Sequence, residues 1–116
     1  MKEERNPSDC VRDILEAAEK VSQFIRGLTY EKFCGDEKTV FAVVRGLEIV
    51  GEAARNVTPA LRDKYPGIPW RLMTGMRDRL IHDYGGVNLA IVWNAASKDL
   101  PDLEPKFRAM LNELGD

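Results

Sequence analysis

Apolar residues recur every three or four positions along most of this sequence, and no segment alternates apolar and polar residues as a half-buried strand does. Val11, Ile14, Leu15, Ala18, Val21, Ile25 and Leu28 trace one helical face between Ser8, the expected N-cap, and Leu28. Gly27 and Gly35 bracket a connection with at most one turn of helix. A second stripe, Val40, Val43, Val44, Leu47, Val50, Ala54 and Val57, then predicts a helix over 37–56, in which Gly46 and Gly51 would allow close packing. Thr58 and Pro59 read as N-cap and first helical residue of a short helix that must end before Pro66.

Pro66, Gly67 and Pro69 make the clearest break in the chain. A third long helix is expected to open near Trp70, carry Leu72, Met73, Met76, Leu80 and Ile81, and stop at Gly85 and Gly86. Asn88 is the expected cap of a fourth helix, which Pro101 separates from a last one bearing Leu103, Phe107, Met110 and Leu111. Trp70 and Trp93 are read as core or interface residues. Short connections between such helices predict an all-α, up-and-down bundle of four to five helices, formed by residues 1–116 as a single domain.

Composition narrows the function classes. Hydrophobic residues make up 44% and charged residues 31%, a globular balance, and the net charge of -2 lacks the basic surplus of a bulk nucleic-acid binder. Any RNA contact must therefore come from a local patch. The sequence starts without an apolar leader and has no run long enough to span a bilayer, so a cytoplasmic protein without membrane association is expected. Cys10 and Cys34 read as two free thiols, and with a single histidine there is no zinc-ligand spacing, so neither metal nor cofactor is expected.

The chemistry concentrates in Met76-Arg77-Asp78-Arg79-Leu80-Ile81-His82-Asp83-Tyr84. On a continuous helix Asp78 and His82 would share a face, where the carboxylate would orient the imidazole and raise its pKa. Arg77 and Tyr84 would share another. Arg77 and His82 would point about 140° apart. They would converge only if the last turn loosens, if the arginine bends round, or if a second subunit supplies its own copy of the segment, the arrangement favoured here. Arg79 and Asp83 read as a solvated pair.

Arg77, His82 and Tyr84 form an R-x4-H-x-Y pattern that resembles the HepT-like members of the HEPN superfamily. The resemblance extends through DILEAAEKV, LEIVGEAARNV, LRDKYPGIPWRLMTGMRDRLIHDYGGVN and IVWNAASKDLP, roughly residues 8 to 111. It implies a homodimeric helical bundle and a type VII-like toxin, an endoribonuclease acting on RNA without a metal. It also implies a minimal nucleotidyltransferase antitoxin as partner, able to transfer AMP to Tyr84. Arg77 and His82 would be the catalytic pair, with Asp78 in support. Two positions depart from the family pattern: Asp78 stands where Asn is usual and Asp83 where Gly is frequent, and both add negative charge that repels phosphate. The alternative from another class is a non-catalytic subunit that binds substrate or a surface for a nucleotidyltransferase.

Overall fold

A computed structural model describes residues 6–115 except 77, 79, 80, 84 and 85, and for 81–83 and 86 it describes the backbone alone. The first helix, α1, spans Pro7–Ile25. Its cap is Asn6, whose Oδ1 accepts from the Ser8 amide at 2.9 Å, so the helix starts ahead of the expected Ser8 cap. Pro7 explains the difference, because proline at the first helical position has its φ preset and no amide to leave unbonded.

The chain turns at Gly27, in the left-handed region at φ 81°, and forms the single turn α2 (Tyr30–Cys34). It then runs back along α1 as α3 (Glu37–Arg55). Asp36 caps α3 with both carboxylate oxygens, one accepting from the Thr39 amide at 3.1 Å and the other from the Thr39 hydroxyl at 2.7 Å. These two bonds hold the Asp36 carboxyl below the usual aspartate range.

The α1 and α3 pair is the centre of the bundle. Val11, Ile14 and Val21 from α1 meet Val43, Leu47, Val50 and Ala54 from α3, all effectively removed from water. Gly46 sets how near the two helices lie, since a β-carbon there would stand 2.5 Å from Val21 Cγ2. Val21 is fully buried and branched at Cβ, so it has no rotamer into which to retreat.

Thr58 caps the short α4 (Pro59–Arg62) and Trp70 opens α5 (Trp70–Thr74), both where the sequence predicts them. Trp70 packs edge-on to Phe107 at 5.8 Å and donates its indole N–H to the Tyr65 carbonyl at 3.1 Å. Two side-chain bonds fasten the break at Pro66–Pro69 to the last helix: Tyr65 donates to Glu113 at 2.7 Å, and Lys106 to the Gly67 carbonyl at 3.0 Å.

Asn88 caps α6 (Leu89–Asn94) as expected, but Pro101 does not separate two helices. The chain passes through a π-helical turn, Ala95–Asp99, directly into α7 (Leu100–Glu113). Proline lacks an amide, and its ring collides with the carbonyl four residues back in a regular helix. Widening the turn just before Pro101 removes that collision: the Leu100 amide reaches back five residues to Ala95. Ser97 fills part of the gap, its hydroxyl donating to the Trp93 carbonyl at 2.6 Å.

The outcome is the all-α bundle that the periodicity predicts. One departure from it lies at Ile81–Asp83 (β1), which is extended and pairs antiparallel with Gly86–Val87 (β2).

Two outcomes follow. Gly46→Ala gains helix propensity worth about 1 kcal/mol, yet urea unfolding should show a net loss of about 1–2 kcal/mol because an overpacked contact costs more. Adding Val21→Ala should make the pair less damaging than the sum of the two single changes. Asp36, with its folded pKa below the unfolded value, stabilises above the unfolded pKa and loses that contribution as pH falls through the folded one. Thermal melts across the acid range should therefore show a shallower decline for Asp36→Asn than for the native chain.

Candidate active site

The approach to the R-x4-H-x-Y segment is built by α5 and the turn after it. Met73 and Met76 are buried, and between them Gly75 ends the regular helix with its amide bonded to Arg71 O at 3.0 Å. A β-carbon at Gly75 would lie 3.1 Å from that same carbonyl, so the tight turn suits glycine. Helical backbone resumes at Met76 and holds Asp78, whose side chain is exposed.

The expected long third helix therefore ends sooner than the sequence suggests. It is broken at Gly75, and Ile81, assigned to it by periodicity, sits in an extended segment. Ile81 pairs with Val87 and Asp83 with Gly86, with an irregularity in register between the two pairs. The chain must reverse here to reach the Asn88 cap, and the ribbon bonds its backbone groups to one another instead of continuing a helix.

This geometry corrects the expected relation of Asp78 to His82. Their shared face required helical backbone through residue 82, and the backbone there is extended. The 140° separation of Arg77 and His82 fails on the same ground, since it too assumed an unbroken helix. Arg77 and Tyr84 lie outside the described residues, as does the side chain of His82.

Three arginines beside this segment were not singled out by sequence. Arg55, at the end of α3, donates to the Thr74 carbonyl at 2.9 Å and so ties α3 to the end of α5. Arg62 lies across the end of α3, donating from Nε to the Val57 carbonyl at 2.9 Å and from Nη2 to Arg55 O at 3.1 Å and Ala54 O at 3.5 Å. A guanidinium at a helix C-terminus satisfies carbonyls with no partner in the helix and opposes the negative end of its dipole. Arg71 is exposed, with no hydrogen bond or ion pair from its side chain among the described residues. No motif marks these residues: the partners of Arg55 and Arg62 lie elsewhere in the chain, and Arg71 has no side-chain bond among the described residues. The one available signal was the clustering of arginines around the Pro66–Pro69 break.

Arg62, Arg71 and Thr74 line an open groove of about 450 Å³ with Asp63, over a floor that includes Ile68 and Trp70. A second groove of about 330 Å³, between α1 and α3, is lined by Asp13, Glu48 and Glu52 together with Arg45. Its charge is opposite to that of the first. Among the described residues no group of three or more His, Cys, Asp or Glu is arranged to hold a metal ion, and no helix is long and apolar enough to cross a membrane.

The family model described as "Ribonuclease HepT-like" matches residues 14–110, which runs from within α1 to within α7 and takes in the whole R-x4-H-x-Y segment. The chain belongs to the ribonuclease HepT-like family. A relative from Thermococcus cleftensis, named "Probable ribonuclease HepT", is 43% identical over 106 residues, 91% of this chain and 96% of its own length. A relative from Caldanaerobacter subterraneus subsp. tengcongensis, named "Putative RNase", is 37% identical over 109 residues, covering 94% of this chain and 97% of its own. No solved structure matches. The HepT-like match accounts for the segments flanking the motif as well as the motif itself, since LEIVGEAARNV is the second half of α3 and IVWNAASKDLP carries the π-helical turn.

Arg62→Ala should cost about 1–2 kcal/mol in denaturant unfolding, the range for leaving half-buried acceptors unsatisfied. Arg62→Lys should restore little of it, because a single ammonium does not span three carbonyls.

Proposed function

We propose that this chain is a metal-independent endoribonuclease, the toxin of a type VII-like toxin–antitoxin pair, working as a homodimer with Arg77 and His82 as its catalytic pair. The observation that carries the reading is the HepT-like match across residues 14–110, which includes the complete R-x4-H-x-Y pattern. His82 takes the proton from a ribose 2'-hydroxyl as that oxygen attacks the adjacent phosphorus. Arg77 holds two phosphate oxygens through parallel N–H donors and stabilises the charge that builds on them. The 5'-oxygen leaves with a proton from the second subunit's His82 or from water, giving a cyclic phosphate and a free 5'-hydroxyl.

A shared cleft suits one histidine per chain, because two roles in proton transfer then fall to two copies of the same residue. Exposed aromatic surface agrees with a second copy: Phe41 on α3 is 76% exposed, and Phe24 and Tyr30, near the α1 to α3 connection, are exposed as well. The partner is a minimal nucleotidyltransferase. It silences the toxin by transferring AMP from ATP to the Tyr84 oxygen, with pyrophosphate as the leaving group. A phosphodiester at Tyr84, two residues from His82, places negative charge where the substrate phosphate has to sit.

The deciding experiment is cleavage of labelled RNA in excess EDTA by protein whose intact mass excludes added AMP. Wild type should cut, and folded His82→Ala and Arg77→Ala should lose at least 100-fold, on the order expected for removing a general base or an oxyanion donor. Absence of cutting by wild type on a broad RNA panel would transfer the chain to the non-catalytic reading, with Asp78 and Asp83 as the charges that keep phosphate out.

A further inference from the structure

We infer that the groove between α4 and α5 is a phosphate-binding track for the RNA substrate, beside the end of α5 from which the chain enters the R-x4-H-x-Y segment in sequence; this extends the nuclease reading and rests on it. A chain of net charge -2 has to bind a polyanion through a local concentration of positive charge. Among the described residues, the groove brings one together on α4 and α5, shortly before the motif in sequence. Arg62 and Arg71 line it, and Thr74, whose carbonyl accepts from Arg55, marks the end nearest Arg77 in sequence.

The two guanidiniums are held differently. Arg62 is fixed by its carbonyl bonds at the end of α3, so a positive charge stands on the groove lining without further ordering. Arg71 is the adaptable member, exposed on α5 with its side chain unbonded among the described residues. Among the described residues Asp63 is the one carboxylate on the lining, and it leaves them net positive.

The floor does not read bases. Trp70 is 9% exposed and its indole N–H is already used by Tyr65, so it offers an apolar surface and no stacking platform or donor. Recognition therefore falls on the backbone phosphates and is tolerant of base sequence. Protein surfaces rich in carboxylates would be attracted by the same charges, and the experiment separates the two.

Binding of a labelled single-stranded RNA with methylated 2'-oxygens, which cannot be cut by the proposed route, is measured by fluorescence anisotropy across a salt series. Arg71→Ala should weaken binding several-fold and reduce the slope of log Kd against log salt by about 0.7, one phosphate contact on a single strand. Arg71→Lys should retain most of the affinity, because a point charge still serves a phosphate. On cleavable RNA, Arg71→Ala should raise KM with little change in kcat. If Arg71→Ala, folded by circular dichroism, keeps both the native Kd and the native salt slope while wild type cuts RNA, the track is wrong and the nuclease reading stands. If RNA binding is unchanged but capture of the purified nucleotidyltransferase is lost, the groove belongs to the protein partner and the track is again overturned. Failure of wild type to bind or cut RNA removes both.

Discussion

The approach of α1 to α3 at Gly46 is the constraint on which the other contacts depend. With no side chain between them, the two helices come near enough for Val21, Val43 and Leu47 to seal one continuous core. α7 and the π-helical turn pack against α1, and α5 packs against α3, so each is placed by that pair. Widening the pair by the breadth of a methyl group would be felt at every secondary contact, because close-packed interiors transmit displacement and do not absorb it.

From that centre the end of α5, which precedes the R-x4-H-x-Y segment, is reached through a short series of polar links. Arg62 closes the end of α3, Arg55 ties the same end to Thr74, and Met76 anchors the next turn in the core. Catalytic segments do well on a rigid platform, because a general base and a phosphate-holding cation act only at the right separation. The R-x4-H-x-Y segment lies in sequence between a buried methionine and the Asn88 cap, two fixed points joined by a stretch that includes a strand-paired ribbon.

Much of this was legible in the sequence. The helix over 37–56, the Thr58-Pro59 start, the opening at Trp70 and the Asn88 cap are all local signals, each decided by residues within one turn. The errors share a cause. Ser8 was read as the cap because the apolar stripe begins after it, although Pro7 marks the true start and Asn6 caps it. Ile81 was counted into a helix because its spacing fits, although nothing in a period of three or four reports a glycine turn at Gly75 or a pairing with Val87. Pro101 was read as a break because proline commonly is one, and whether a helix stops or widens at proline is decided by what its far end packs against. For the site, the R-x4-H-x-Y pattern and its flanks were enough to find the family. The arginines of the groove escaped notice because folding across the Pro66–Pro69 break brings Arg62 and Arg71 to one lining, which no local pattern reports.

The π-helical turn has a consequence for how this chain tolerates change in length. A residue inserted into an α-helix rotates everything beyond it by about 100° and turns buried side chains outward. In the turn before Pro101 one surplus residue is already housed as a bulge, so Val92 on one side and Leu103 and Phe107 on the other still face the same core. Insertions and deletions are usually confined to loops, but here the C-terminal helix has a place where length can be traded without loss of phase. Proline is what keeps that place open.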